Sequence, residues 1–364
     1  MKQPAVLVLG PDRGAISGVA THLNLLFGSE LARRFELVHF QVGREGRAES
    51  RLELLARMLT SPFALAAAIV RTGATLVHVN TSLDARAYWR DLAYVLAARL
   101  CGARVVYQIH GGTVQDFYKP VLRATLKWPD AVVVLSRCEL EELRSLVPEE
   151  RVALVPNAID CTPFRPQRPA DQGAPLRLVH IGRLVKVKGV HEMVEGLALA
   201  LRQGVSASLV IAGDGPELKP LQEAVAELSI AEHVSFAGAA FGERKARLLG
   251  EADVLVFPTY HREGLPYALL EGMAAGLVPV TTRVGAIPDV VAEGVHGVFV
   301  RERDPQAVAR AIARLAADRP GLARMSAACR ERVTTAYSIE RLAEDFTALY
   351  RKLEGRSWAP SQAG

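Results

Sequence analysis

Short, uniformly apolar runs alternate with longer segments of helical periodicity along the whole chain. The runs AVLVLG (5–10), TLVHVN (75–80), RVVYQI (104–109), AVVVL (131–135) and VALV (152–155) lack the in-and-out alternation of a half-solvated strand. Strands covered by helices on both faces read this way, so these runs predict a parallel sheet. Helical segments such as RDLAYVLAARL (90–100) lie between them. The pattern then restarts with LRLVHI (176–181), SLVIAG (208–213), DVLVF (253–257) and VPVT (278–281). Between the two series, CTPFRPQRPADQGAP (161–175) carries Pro163, Pro166, Pro169, Pro175 and Gly173. Prolines at that density block both helix and central strand, which marks an interdomain linker. The expectation is an α/β chain of two doubly wound domains facing across a cleft, at 1–165 and 175–338, joined by a linker at 166–174. A last amphipathic helix, 339–356, sets Leu342, Phe346, Leu349, Tyr350 and Leu353 on one side and is expected to return to the N-terminal domain.

Composition narrows the class. A chain of 364 residues exceeds what one core usually serves, and 50% hydrophobic with 23% charged side chains excludes a disordered chain. The net charge of +5 comes with 36 Arg and only 8 Lys, which reads as the coding bias of a GC-rich bacterial genome. Aromatics are 6% and no basic-aromatic stripe occurs, so a nucleic-acid partner is not expected. No G-x-G-x-x-G follows the first strand, which disfavours an oxidoreductase. Cys101, Cys138, Cys161 and Cys329 are scattered, without zinc or disulfide spacing, and fit a reducing cytoplasm. The first apolar run ends at Gly10, too short for a signal peptide. The longest clean apolar stretch, Phe63 to Val70, falls short of the roughly 18 residues a membrane span needs. Residues 43–137 hold 13 basic and 7 acidic groups. Within them, RLELLARML (51–59) and FYKPVLRATLKW (117–128) mix cations with large apolar residues. Such stretches suit either an anionic membrane interface or core-facing helices. Peripheral contact at the inner face of the cytoplasmic membrane therefore stays open.

The chemistry concentrates in two segments. In REGLPYALLEGMAAGLVPVTT (262–282), Glu263 precedes a helix and Glu271 lies about one and a half turns inside it. Pro266 suits the helix start and Gly276 the position beyond its end. Two carboxylates accept sugar hydroxyls, while the helix-start amides around Leu265 to Ala268 seat an anion. In HIGRLVKVKGVHEMVEGL (180–197), Arg183 and Lys188 stand at the C-terminal edge of a strand, where open α/β sheets bind ligands. A planar fork and a mobile point charge together grip a diphosphate.

Read together, GRLVKVKG (182–189), GDGPE (213–217), VSFAG (234–238), EGLPYALLEGMAAG (263–276), VGAIPDVV (284–291) and VPNAID (155–160) resemble the family 4 retaining glycosyltransferases. The resemblance spans almost the whole chain and is most specific in the second half. It implies the GT-B architecture, with two Rossmann-like domains, the N-terminal one binding acceptor and the C-terminal one nucleotide sugar. It further implies that Arg183 and Lys188 bind the donor diphosphate, Glu263 the donor sugar and Glu271 the ribose. The backbone around Gly264, Leu265, Tyr267 and Ala268 would complete the phosphate seat, and Gly213 and Gly215 would lie near the base. In the first domain, GAISGVATHL (14–23) resembles the family's glycine loop, with Gly18 approaching the phosphates, and His110 resembles the histidine near the reacting sugar carbon.

Three positions depart from the pattern: Ser17, Ala158 and Ala286 stand where glycine is usual. Ser17 is the one that bears on the phosphates, because a side chain restricts the backbone there. An inverting reaction needs a placed general base, and among His110, Asp116 and Glu263 none is singled out. The expectation is same-face transfer of a hexose, without cofactor, to a saccharide or lipid-linked saccharide. No D-x-D motif occurs, so no metal site is expected. The alternatives are another GT-B sugar-nucleotide enzyme, an epimerase or phosphorylase, or a catalytically silent nucleotide-sugar-binding subunit of a polysaccharide assembly complex.

Overall fold

The computed structural model describes residues 3–43, 50–83, 85–112, 119–166, 174–262 and 264–355. The chain divides into two compact units, 1–158 with 339–364, and 159–338.

The first unit runs β1 (Ala5–Gly10), α1 (Gly18–Gly28), α2 (Leu31–Arg34), β2 (Glu36–Gln41), α3 (Arg51–Thr72), β3 (Leu76–Leu83), α4 (Ala85–Leu100), β4 (Arg104–Gly112), α5 (Lys119–Thr125), β5 (Ala131–Val134), α6 (Arg137–Leu143) and β6 (Val152–Leu154). Its strands form one parallel sheet in the order β2-β1-β3-β4-β5-β6. The second unit runs β7 (Leu176–Ile181), α7 (Val190–Arg202), β8 (Ala207–Ala212), α8 (Leu218–Glu227), β9 (Val234–Phe236), α9 (Gly242–Gly250), β10 (Val254–Phe257), α10 (Tyr267–Ala274), β11 (Val278–Thr281), α11 (Ile287–Val290), β12 (Val298–Phe299), α12 (Pro305–Ala317) and α13 (Arg319–Ala336). Its parallel sheet has the order β12-β11-β10-β7-β8-β9. The last helix, α14 (Ile339–Leu353), belongs to the first unit.

Uniformly apolar strands follow from helices on both faces. In the first sheet Leu7, Leu9, Val77 and Val105 pack toward α3 and α4. Their neighbours Val6, Val8 and Val106 pack toward α1, α2 and the Leu342, Phe346 and Tyr350 side of α14. In the second, Val254 and Val256 face the α7 and α12 layer, while Leu255 and Phe257 face α10 and α13.

Two readings of the sequence need correction. The domain boundary expected at 165 lies at 158, because Phe164 packs into the second unit's core and the Ile159 amide donates to the Tyr337 carbonyl at 2.9 Å. Apart from Pro166 and Ala174, the expected linker lies outside the described residues. Three strands, β2, β9 and β12, were not among the apolar runs. Each sits at a sheet edge, where one side of the strand is only partly covered and pure apolarity is not required.

Candidate functional site

In the second sheet β7 lies between β10 and β8, so the chain reverses its direction of winding at the β7/β10 pair. Ligands of open α/β sheets bind outside the carboxyl ends of strands at such a switch point. The loops leaving β7 and β10 hold Arg183, Lys188 and the stretch from Gly264 into α10.

These loops are locked to one another. A short 3-10 turn, Lys186–Lys188, follows β7. Its Val187 carbonyl accepts from the amides of Tyr260 and His261 at 2.9 and 3.0 Å and from the Thr259 hydroxyl at 3.1 Å. Gly189 then turns with φ +71°, and a Cβ there would lie 2.1 Å from the Pro258 carbonyl oxygen. Only glycine permits that approach. On the other side, the Leu184 amide donates to the Asp214 carbonyl at 2.8 Å and the Glu217 amide to the Leu184 carbonyl at 3.0 Å. Gly213 and Gly215 face this contact, where added Cβ atoms would lie 2.0 Å from the Gly182 oxygen and 2.4 Å from the Leu184 oxygen. The glycines of GDGPE thus serve the close approach of two loops.

Arg183 is exposed, while Lys188 is half-buried with its ammonium 5.6 Å from the Phe257 ring centre. Beneath them lies His180, fully buried on β7, whose Nδ1 donates to the Val256 carbonyl at 3.0 Å. Burial, with the nearby Lys188 charge, lowers its pKa to about 4 despite that hydrogen bond.

Gly264, Leu265, Tyr267, Ala268 and Glu271 follow around the start of α10. Pro266 is the cap residue of that helix, and Gly276, at φ +84°, stands beyond its end. The Gly264 carbonyl is fixed by the Ala286 amide at 3.2 Å. Glu263 and Asp116 lie outside the described residues. Glu271 is buried, and its Oε1 accepts from the Lys245 ammonium of α9 at 2.5 Å. Tyr267, one turn earlier, has its phenol pKa raised by burial and by the Glu271 charge. Lys245 was missed from sequence because GERKARLLG reads as an ordinary solvated helix face. Nothing local separates Lys245 from Arg244 or Arg247.

The first unit gathers its own candidates. Ser17 caps α1, its hydroxyl accepting from the Ala20 amide at 3.2 Å. Its φ of −148° is extended backbone open to any residue, so serine replaces glycine there without strain. Gly18 is exposed at the first helical position. One turn on, His22 packs edge-on against His110, ring centres 4.7 Å apart.

His110 lies on β4, which continues through both following glycines. Asn80 Nδ2 donates to the Leu9 carbonyl at 2.9 Å, so Oδ1 is the atom that faces His110 Nε2 at 2.8 Å. Nε2 therefore carries the proton and Nδ1 keeps the lone pair. Burial, then the neighbouring His22 and His78, hold His110 well below its ordinary pKa, so the ring stays neutral. His78 is itself bonded to Gln108 at 2.9 Å and to the Tyr350 hydroxyl of α14 at 2.7 Å. Among the described residues no group of three His, Cys, Asp or Glu side chains is placed to hold a metal ion.

A model described as glycosyltransferase family 4 matches residues 18–162, and one described as glycosyl transferases group 1 matches residues 164–332. A GDP-mannose-dependent alpha-(1-6)-phosphatidylinositol monomannoside mannosyltransferase of Mycobacterium tuberculosis is 31% identical over 285 residues, 71% of this chain and 74% of the relative. An N-acetyl-alpha-D-glucosaminyl L-malate synthase of Bacillus anthracis is 26% identical over 77% of this chain and 75% of its own. A sucrose-phosphate synthase from Thermosynechococcus elongatus shares the fold with a TM-score of 0.77 at 20% identity, over 98% of this chain and 100% of that one. HepE of Anabaena, solved with UDP and glucose, does so with a TM-score of 0.74 at 17% identity, over 96% and 100%. Two parallel six-stranded sheets, both family models and these relatives agree: the chain belongs to the family 4 glycosyltransferases and has the GT-B architecture.

Proposed function

We propose that this transferase is retaining and metal-independent, and moves a hexose from a nucleoside-diphosphate sugar to a saccharide or lipid-linked saccharide of the bacterial cell surface. The observation that carries this reading is the locked pair of loops at the β7/β10 switch point, which presents Arg183 and Lys188 beside the start of α10. The two cations would take the charge of the departing diphosphate, with no cofactor, and the α10 start would hold a phosphate oxygen. Glu271, steadied by Lys245, would accept from ribose hydroxyls through its second oxygen, and Glu263 would meet the donor sugar.

In the reaction the bond from the anomeric carbon to the diphosphate oxygen breaks, and its electron pair leaves with the nucleotide. The acceptor oxygen bonds to the same face of that carbon, and its proton passes to the leaving phosphate. His110 would accept a sugar hydroxyl at Nδ1, since its Nε2 proton is committed to Asn80, and Gly18 would approach the phosphates from α1. Relatives that use GDP-mannose or hold UDP support a purine- or pyrimidine-linked donor alike. The mannosyltransferase relative acts on a lipid-linked sugar, which supports the acceptor class.

Calorimetry against UDP-, GDP- and ADP-sugars tests the reading. One preferred donor is expected, its binding weakened about a hundredfold or more by Lys188→Ala, on the scale of losing a charge-stabilising group. Glu271→Ala is expected to weaken it as well. A folded protein that binds none of the donors would overturn the reading in favour of a silent subunit.

A further inference from the structure

Large apolar side chains that reach solvent are concentrated on one face of the first unit. Among the described residues, eight of fourteen lie on α3 and α4, which pack against each other over the same side of the sheet. On α3, Leu52, Leu59, Phe63 and Val70 are each between 66% and 80% exposed. Their spacings of seven, four and seven set them on a single stripe of the helix. On α4, Trp89, Leu96 and Leu100 repeat the pattern with spacings of seven and four. The inward sides of both helices are ordinary core, with Leu65, Ala68 and Ile69 on α3 and Tyr88, Val95 and Ala98 on α4. Soluble monomers rarely leave so continuous an apolar surface uncovered.

Length and composition alone would let Leu52–Thr72 cross a membrane, although its run free of polar residues spans only Phe63 to Val70. The buried inner side excludes a span in this fold: a helix anchored to its own core lies along a surface. Charge then decides which surface. The segments 51–72 and 85–100 carry six arginines and two acids. Neither acid is a free charge on the face: Glu53, exposed in the first turn of α3, is tied into its cap, and Asp91 is buried. Glu53 closes a capping box with Ser50, its carboxylate accepting from the Ser50 amide at 2.8 Å. Asp91 is fully buried, bonded to Thr81 at 2.6 Å and to Arg90 at 2.6 Å. Arg90 is paired with Asp91 and Arg99 with Asp130, so the positive charge of the face comes from α3, which carries three arginines against Glu53. Two copies of such a face would set like charges against each other, whereas anionic headgroups complement both that charge and the apolar stripes.

We propose that the outer face of α3 and α4 is a docking surface for an anionic lipid bilayer, the stripes Leu52–Leu59–Phe63–Val70 and Trp89–Leu96–Leu100 entering the headgroup boundary while arginines meet the phosphates. It deepens the lipid-linked acceptor reading, on which its purpose rests. The measurement involves no sugar, so the two fail separately.

Flotation of the full chain with vesicles about one third phosphatidylglycerol in phosphatidylcholine is the test. Retention is expected on these vesicles and not on phosphatidylcholine alone, and it should weaken as salt rises. The double variant Leu59→Ser, Phe63→Ser should lower the bound fraction at least about tenfold, since it removes two apolar anchors and no charge. Arg71→Gln should lower it by a smaller factor, on the scale of one cation near an anionic surface. Donor binding, measured in parallel, should be unchanged, because none of these residues belongs to the nucleotide loops. No retention, or equal retention of the double variant, would overturn the proposal. So would a concentration-dependent dimer in lipid-free solution that the same variant dissolves, because that would assign the face to a second copy.

Discussion

The second unit holds Arg183 and Lys188 in a loop beyond a strand end, whereas the first has folded its histidines into its core. Arg183 and Lys188 stand on a turn latched to the β10 loop through one carbonyl, and the glycines around them exist to let backbone meet backbone. His22, His78 and His110 instead occupy the layer between the first sheet and α1 and α14, as neutral rings among Asn80, Gln108 and Tyr350. Loops specified by glycine and charge announce themselves in a sequence. A buried histidine group does not, because its members come from α1, β3 and β4 and are joined only by the fold. The difference is one of tolerance too: the first arrangement depends on keeping protons out, the second on leaving no room for a Cβ.

The largest effect is expected from Gly189→Ala. A Cβ 2.1 Å from the Pro258 oxygen, on a backbone at φ +71°, should cost about 2–4 kcal/mol. Trp89 and Trp128 both lie in the first unit, so their fluorescence should keep its urea midpoint while the far-ultraviolet dichroism midpoint falls. Equal movement of both signals would mean that the units do not unfold separately.

Acid should act the other way round. Burial holds His22 at about 4, His78 at about 3 and His110 well below 6.5, against His180 at about 4 and the partly buried His296 in the second unit. Unfolding frees each ring to take up a proton below pH 6.5, so the unfolded chain binds more protons in that window. Stability is complete above pH 6.5 and declines as pH falls from there toward 4. At pH 5.5 the first unit, with three such rings against one fully buried ring in the second, should have lost more stability than the second. Tryptophan-detected melting at pH 7.5 and 5.5, compared with dichroism, measures it.

Lys245→Met sharpens the donor half. Without the ammonium, the buried Glu271 carboxylate loses its partner and its orientation, and donor affinity should fall about tenfold, or about 1.4 kcal/mol. Calorimetry with the preferred donor reads this directly, and unchanged affinity would separate Glu271 from the nucleotide. The smallest effect belongs to Asn80→Asp, expected to change turnover by only about two- to fivefold, within the range of one modified hydrogen bond. Its diagnostic is spectroscopic. A carboxylate facing Nε2 should raise the His110 pKa, visible as a displaced nitrogen-15 titration of that ring. An unmoved titration would mean that position 80 does not face Nε2 in solution.

Much of this architecture was legible because both faces of each central strand are covered, which makes 5–10 or 131–135 apolar without interruption. The edge strands β2, β9 and β12 escaped for the complementary reason, since a half-covered strand need not be apolar on both sides. In the second unit, Gly189, Gly213, Gly215, Lys188 and Glu271 were visible as motifs, yet the reason for the glycines emerged only with the loop contacts. Lys245, His180, His22 and Asn80 were not visible at all. Each acts through a partner distant in sequence, 26 residues away for Lys245 and Glu271 and 30 for Asn80 and His110. The boundary at 158 was likewise set by packing of Phe164, which no local composition reveals.

The Val187 carbonyl, with its three donors, has a consequence for how the proposed nucleotide would be received. Because the loops after β7 and β10 are tied before any ligand arrives, the entropy of ordering them has already been spent in folding. The amides of Tyr260 and His261 should then resist exchange with heavy water in the empty protein, behaving as part of the sheet beneath them and not as surface loop. A donor bound there, as proposed, would meet a template, and little of its binding energy would go into making one.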